Sequence, residues 1–303
     1  MKIRIFLYPI FTACILQFTG CVFQEVQETL YLGDVKIKAP ITTPPMHLNV
    51  NSQPGDITFS PRFTAVNKEN MLASSSEMFT GTFVYPDGTT YETSNKNIDW
   101  NYSQYSFGLD ADIKLSNSFA FFGGFTISND NINGWNIGLG LFSSMTEPIV
   151  RLDLGLNIQK YSYDAITVLD QTVTDFWGHE TRNRYIYRDI DEVVNTNPFL
   201  TITFNSNNDS TLINYFFNVG YFLQQLMDFS PSDSNYDSGT VTTTTDTRPD
   251  CMTGFLYVNP GISLRLTDQL RIVLCAKFLK ETILQLDSGG IIIVPGLQMD
   301  FTL

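Results

Sequence analysis

The sequence predicts an all-β fold: a single up-and-down antiparallel transmembrane β-barrel of about ten strands, with twelve as the alternative count. Three observations favour this fold. From Gly55 onwards apolar and polar residues alternate, several alternating runs exceed ten residues, and short connections alternate with long ones. A tilted strand needs about 9–11 residues to cross hydrocarbon. Transmembrane barrels have short turns at one end and longer loops at the other.

The alternation defines the strands in order. They are predicted at residues 55–66, 103–115, 118–128, 134–143, 149–163, 198–206, 211–226, 253–266, 269–280 and 290–303. In 103–115, for example, Leu109 and Ile113 share one face, and Gly108 and Asp110 share the other, as the period of a strand requires. A further hairpin over 78–94, turning at Pro86-Asp87-Gly88, either prolongs two strands or adds a pair.

Composition narrows the class of protein. The 303 residues include 18 Lys+Arg against 31 Asp+Glu, and this acidic balance argues against a nucleic-acid partner, which needs clustered cations. No long apolar run follows the N-terminus, so no later transmembrane helix is expected. A periplasmic β-sandwich shows the same alternation and is the alternative fold. The polar face favours the barrel, because it is rich in Gly, Asn, Thr and Asp, which suits a crowded lumen.

Loop lengths and aromatic residues predict how the barrel sits in a membrane. Short turns are expected at Ser116-Asn117 and Thr267-Asp268, and long outer loops at 67–102, 164–197 and 227–252. With ten strands both chain ends fall on the side of the short turns, the periplasm. Two girdles at the water–lipid boundaries are expected from the aromatics near strand ends: Tyr105, Trp135, Tyr161, Tyr163, Tyr221 and Tyr257, and Phe119, Phe142, Phe199 and Phe301.

The N-terminal sequence predicts an export signal. In "MKIRIFLYPIFTACILQFTGC", Lys2 and Arg4 precede an apolar run, and small residues precede Cys21. The segment resembles a bacterial lipoprotein signal, which implies that residues 1–20 are removed and that Cys21 carries lipid. An ordinary signal peptide with an incidental cysteine is the alternative. Residues 21–54 are proline-rich without a strong period and are predicted to be a lipidated periplasmic tether before a barrel domain at 55–303.

The C-terminal sequence supports the prediction of an outer-membrane barrel. The final "PGLQMDFTL" resembles the outer-membrane insertion signal at Gly296, Leu297, Met299, Phe301 and Leu303, although that signal most often ends in Phe. Residues 55–303 thus resemble bacterial outer-membrane β-barrel proteins. The resemblance implies a bacterial outer-membrane location with both termini periplasmic. Its implied partners are outer-membrane lipid, the barrel-assembly machinery and the lipoprotein-export machinery, and the external ligand is left open.

Two groups of residues are candidate sites. A mixed-sign set is expected to line the lumen, where it either pairs and closes the bore or forms a narrow polar pore: Asp110, Asp112, Lys114, Arg151, Asp153, Arg265, Arg271, Lys277 and Asp300. His179 with Asp175 or Asp189 could act as a hydrolase at the outer rim. The alternative is a surface loop that contains one histidine. No cofactor or metal is expected, and Cys251 and Cys275 are expected to remain unpaired.

These features leave four functional hypotheses. The leading one is a non-catalytic outer-membrane barrel lipoprotein that acts through its surface loops or supports the envelope. The others are a narrow channel for small solutes, a periplasmic β-sandwich lipoprotein that binds a ligand, and the rim hydrolase.

Overall fold

The computed structural model describes residues 24–40, 43–48, 53–66, 70–74, 81–84, 90–93, 97–128, 133–143, 149–206, 212–227, 233–237, 240–246, 251–282 and 290–303. Within these ranges no helix is long and apolar enough to cross a membrane. The strands are β1 Gln24–Ala39, β2 Ile57–Ala65, β3 Asn70–Ser74, β4 Gly81–Val84, β5 Thr90–Thr93, β6 Asn97–Tyr102, β7 Tyr105–Ser116, β8 Phe119–Ser128, β9 Asn133–Phe142, β10 Ile149–Asp175, β11 Glu180–Asn205, β12 Ile213–Met227, β13 Asp233–Asp237, β14 Thr240–Asp246, β15 Cys251–Arg265, β16 Leu270–Glu281 and β17 Ile291–Thr302.

Ten of these strands form a closed antiparallel barrel. Its order is β2, β7, β8, β9, β10, β11, β12, β15, β16 and β17, and β17 pairs back onto β2. The predicted all-β barrel and its ten strands are therefore confirmed. The β-sandwich alternative is wrong, because the ladder closes on itself instead of forming two packed sheets. The predicted hairpin at 78–94 appears as β4 and β5, which form a separate two-stranded sheet and add nothing to the barrel.

The barrel has two different ends. At the turn end, connections such as Ser116–Phe119 are tight, and Ile57 and Leu303 exchange backbone hydrogen bonds of 3.2 and 2.9 Å. At the opposite end, here called the loop end, β10 and β11 continue far past the other barrel strands. These hydrogen bonds place the first residue of β2 and the last residue of the chain together at the turn end.

An apolar outer band alternates with buried inward residues. In β9, Trp135, Ile137 and Leu139 are exposed, whereas Asn136 between them is buried. Of the predicted girdle aromatics, Tyr105, Trp135 and Phe301 are exposed on the outside. Three others do not face lipid as predicted, because they are buried in one apolar cluster that extends from the barrel to the base of the hairpin above it: Tyr161, Phe199 and Tyr257. Phe142 also differs, since its ring lies 4.9 Å from the guanidinium carbon of the buried Arg151.

The predicted long loop 164–197 is instead a tall hairpin. The ladder between β10 and β11 runs without interruption from Ile149↔Asn205 to Thr174↔Glu180. Pairing of β10 with β9 stops at Gln159, so residues 160–195, here called the outer hairpin, stand about 50 Å beyond the barrel wall. Alternating Thr, Val, Ile and Tyr residues favour strand here, although the mixed polarity of both faces resembles a loop in sequence.

The predicted tether also folds. Strand β1 pairs antiparallel with the outer hairpin, from Gln24↔Asp175 to Lys38↔Ser162, and lies parallel to β14 and β6. Residues 43–48, here called the lumen segment, are all buried. The chain then reaches the turn end, where Gly55 N donates to Lys114 O at 2.8 Å. The described chain therefore starts at the loop end and finishes at the turn end. The predicted periplasmic placement of both termini stays a prediction, because the residues before Gln24 lie outside the described ranges. Cys21 lies outside the described residues.

Candidate functional site in the barrel lumen

The lumen segment and Pro40 just before it are held by side chains from four barrel strands, β11, β12, β16 and β17. Amide groups of Gln224 and Gln298 donate to the main-chain oxygens of Pro40 and Met46, each at 3.0 Å. Asn205 donates to Leu48 O, also at 3.0 Å. Because these donors come from β11, β12 and β17 and differ in height, they fix an extended chain along the bore.

Lys277 supplies the charged anchor of this segment. Its ammonium group donates to Thr43 Oγ1 at 2.7 Å and to Pro44 O at 2.8 Å. Hydrogen bonds from a charged group contribute more to stability than neutral ones. The buried ammonium group is thus satisfied by the lumen segment itself.

A buried ion network occupies part of the bore toward the turn end. Arg151 donates two hydrogen bonds to Asp112, at 2.9 and 2.8 Å, and one to Asp153 at 2.5 Å. All three side chains are at most 2% exposed. Bidentate pairing satisfies the guanidinium and offsets part of the cost of removing the charges from water. Gly140, which pairs with Asp153 in the neighbouring strand, leaves room for this group, because a Cβ there would lie 2.6 Å from the Arg151 guanidinium.

A second polar group lies beside the first. Arg62 Nε lies 3.1 Å from Asp110 Oδ2, and Asn136 donates to the other oxygen of Asp110 at 2.7 Å. Asp300 accepts hydrogen bonds from Ser60 at 2.8 Å and Gln298 at 2.7 Å. Gln298 therefore connects Asp300 to the lumen segment, since it also donates to Met46 O.

The nine residues predicted to line the lumen fall into a buried group and a group at the turn end. Seven of the nine are buried inside the barrel: Asp110, Asp112, Arg151, Asp153, Arg271, Lys277 and Asp300. Lys114 lies near the turn end with its ammonium group 5.5 Å from the Phe142 ring centre. Arg265 also lies at the turn end, where it pairs with the exposed Asp268. The structure thus brings the deep charges together and leaves these two at the rim.

The sequence reading missed the apolar half of the lumen. Toward the loop end, residues from barrel strands, from β1 and from the base of the outer hairpin form one buried cluster that begins in the lumen and continues above it: Leu32, Val35, Ile37, Ala39, Tyr102, Phe122, Tyr161, Ala165, Phe199, Phe222, Phe255, Tyr257, Leu279, Ile292 and Val294. The signal was present in β1, where buried residues alternate with Lys36 and Lys38. Phe122 also contacts the lumen segment, since its ring centroid lies 4.7 Å from that of His47.

Several known structures of outer-membrane proteins are similar to this chain at low identity. The outer-membrane protease OmpT of Escherichia coli is 10% identical, with a TM-score of 0.41, and the match covers 85% of this chain and 100% of that one. An outer-membrane channel of Pseudomonas putida F1 is 9% identical, with a TM-score of 0.35, covering 86% and 100%. The translocator domain of the autotransporter NalP of Neisseria meningitidis is 8% identical, with a TM-score of 0.33, covering 84% and 90%.

These likenesses carry no conclusion about activity, because identities and TM-scores are low. No protein-family model matches the chain. No curated protein matches it either.

The rim residues lie far from the lumen. His179 Nδ1 lies 3.0 Å from Asp175 Oδ2 at the tip of the outer hairpin, and both side chains are exposed. Asp189 instead accepts a hydrogen bond from Tyr163 at 2.8 Å. Asp175 also accepts the backbone N–H groups of Trp177 and His179, each at 2.8 Å, and these bonds, that of His179 first, lower the pKa of its carboxyl. The histidine and aspartate thus close a turn.

No metal site is apparent in the described ranges, where no group of three or more metal-ligating side chains occurs. Cys275 carries a free thiol, and its expected lack of pairing with Cys251 stays a prediction. It packs against the lumen segment beside Met46 and Val273.

Proposed function

We propose that this protein is a non-catalytic outer-membrane barrel that is closed to solutes and displays its outer hairpin for contact outside the cell. The observation that carries the proposal is the filled lumen. Its own chain runs along the bore, fixed by Gln224, Lys277, Gln298 and Asn205. The ion network centred on Arg151 packs beside it.

The membrane location is supported by the outer surface. Large apolar side chains such as Leu139, Leu154 and Leu200 are about 40% exposed on neighbouring strands, while their inward neighbours are buried. A continuous apolar band around a closed barrel is expected to face hydrocarbon. With the turn end in the periplasm, the outer hairpin projects from the cell. Lipidation of Cys21 stays a separate prediction from the signal sequence alone, because Gln24 pairs with Asp175 near the hairpin tip and the described chain therefore begins far from the apolar band.

The narrow channel is the competing function, and conductance separates the two. The purified protein should be electrically silent in planar bilayers. A variant that keeps the signal but lacks residues 24–48 retains all ten barrel strands and should conduct. Slower gel mobility after boiling than before would show that both proteins are folded barrels. Steady conductance by the intact protein would refute the closed-barrel proposal.

Display of the hairpin needs a separate test. In a Cys251→Ser background, Thr181→Cys should react with a membrane-impermeant maleimide on intact cells. The matched variant Asn117→Cys, at an exposed turn of the opposite end, should react only after the outer membrane is opened. Labelling of Asn117→Cys alone would reverse the proposed orientation.

A further inference from the structure

Strand β11 has a long open edge outside the barrel. On one side it pairs with β10 over its whole length, but its pairing with β12 covers only Phe199–Asn205. Along residues 180–198 no described strand pairs with the second edge. Unpaired N–H and C=O groups in such a row are a ready template for another β-strand.

The direction of the backbone groups follows from two hydrogen bonds. Asp175 N donates to His179 O at 3.0 Å, so odd-numbered residues of β11 face β10. Ser206 N donates to Tyr215 O at 3.0 Å on the other side. Even-numbered residues such as Arg182 and Ile186 therefore direct their backbone groups to the open edge.

Both faces of this edge strand are accessible as well. Tyr185 and Tyr187 are exposed on one face, and Ile190 and Val194 on the other, all at more than 40%. Residues 180–197 contain no proline that would block pairing. Exposed tyrosine and β-branched residues on an open strand are suited to pairing with a further strand.

Charge is distributed unevenly along the strand. The first half begins with Glu180 and carries three arginines at 182, 184 and 188, and the second half carries acids at 189, 191 and 192. Arg184, Arg188 and Glu192 also pair across the hairpin with charged residues of β10. A strand with opposite charges in its two halves is complementary to a second copy of itself running antiparallel. The charge pattern therefore favours a second copy of this chain as the partner of the open edge.

We propose that the open edge of β11 pairs antiparallel with the same edge of a second copy, with Tyr187 on the two-fold axis. The proposal rests on the display of the outer hairpin proposed above. In this register Arg182 lies opposite Glu192, and Tyr185 lies opposite Asp189. Opposite charges across a ladder stabilise it, and like charges destabilise it.

The neighbouring registers are less favourable. The two-fold axis of the pair must pass through a residue, because residues directly opposite each other must direct their backbone groups the same way. The next possible registers therefore place the axis on the residue before or after Tyr187. With the axis on Ile186, Arg184 lies opposite Arg188. With the axis on Arg188, two arginines meet on the axis itself. Only the register on Tyr187 avoids a like-charge pair among these three.

Antiparallel pairing inverts one copy relative to the other, so the barrels lie at opposite ends of the joined sheet. Thr196 marks the barrel rim, because its partner Ile158 also pairs with Trp135 of β9. In the proposed register Thr196 lies opposite Gly178 of the second copy. The two rims then stand about 60 Å apart, and the pairing joins barrels held in two facing membranes.

Cysteine cross-linking tests the register directly. All variants carry Cys251→Ser, and Cys275 is common to all. Two Tyr187→Cys chains place their α-carbons about 4.5 Å apart, as a non-hydrogen-bonded pair, within disulfide range. Tyr185→Cys is the matched control, since its α-carbon lies about 13 Å from its own copy. The double variant Tyr185→Cys with Asp189→Cys should restore cross-linking.

The experiment mixes two populations of proteoliposomes that carry differently tagged protein. Tyr187→Cys and the double variant should give mixed-tag dimers on oxidation, at least tenfold more than Tyr185→Cys. Absence of mixed-tag dimers would overturn the proposal, and this is the result expected if the edge pairs with another protein instead. Equal yields for all variants would also overturn it. Mobility before and after boiling checks folding. Maleimide labelling of Thr181→Cys without cross-linking would leave the display proposal intact while removing this one.

Discussion

The ammonium group of Lys277 in β16 lies 2.7 Å from the hydroxyl of Thr43, and this contact ties the barrel wall to the chain inside it. The same ammonium group binds Pro44 O at 2.8 Å. The wall and the lumen segment therefore stabilise each other, and the first prediction concerns this anchor.

Lys277→Met should weaken the barrel and loosen the lumen segment. The change leaves two buried acceptors without their donor, which costs about 1.5–3 kcal/mol for bonds to a charged group. The free energy of unfolding, measured from the change in gel mobility with denaturant, should fall by that amount. Lys280→Met on the exposed side of the same strand is the control and should change it by no more than about 0.5 kcal/mol. Equal effects would contradict the assigned role of Lys277.

Arg151→Leu should be the most damaging single change in the lumen. It leaves Asp112 and Asp153 buried without their cation, and removing one partner of a buried pair costs about 3–5 kcal/mol. The unfolding midpoint on heating should fall sharply. A combined variant that also changes both aspartates to asparagine should recover part of the loss. Arg265→Leu, at the turn end, should have little effect, and a loss as large as that of Arg151→Leu would contradict this account.

Leu154→Arg should impair membrane insertion far more than Leu212→Arg. Leu154 lies mid-strand in the apolar band between Leu139 and Leu200, whereas Leu212 lies beside the turn end. A charge at the bilayer midplane of a barrel costs about 2–4 kcal/mol, against about 0–1 near the interface. The folded fraction in lipid vesicles measures the difference. The result that would refute the outer band is equal tolerance at both positions.

The turn at the tip of the outer hairpin should depend on pH. The hydrogen bonds to Asp175 lower its pKa below the ordinary value near 4. Its stabilising effect on the turn is therefore present above that value and is lost as pH falls through the lower pKa of the folded state. Hydrogen exchange at the amides of Trp177 and His179 should show reduced protection at low pH. Asp175→Ala should show the same reduced protection at neutral pH, with no further change on acidification.

An epitope placed before Gln24 should lie on the same side as one inserted at Gly178. Gln24 pairs with Asp175, next to the hairpin tip, whereas Leu303 lies at the turn end. Both epitopes should be labelled on whole cells, and one at Asn117 should remain hidden until the outer membrane is opened. Hidden N-terminal and accessible Gly178 epitopes together would show that the N-terminal segment does not run through the barrel.

The sequence by itself determined the barrel. Period-two alternation, as between Leu109 and Asp110, specifies which face of each strand is apolar, and the alternation of short and long connections specifies an up-and-down order. Both patterns depend on residues that are close together in the sequence, so they can be recognised without a structure. The same locality explains why the buried charges of Asp112 and Arg151 could be placed on the inward face from sequence.

Tertiary structure decided what fills the lumen and what stands above it. Nothing local in residues 24–48 shows that β1 pairs with a strand more than a hundred residues away, or that Lys277 binds Thr43. Tyr257 looks like an interfacial aromatic in sequence, yet it lies inside, where its hydroxyl group is hydrogen-bonded to that of Thr201 at 2.6 Å and its ring lies beside Phe222. These placements depend on contacts between distant parts of the chain, which periodicity along one strand does not encode.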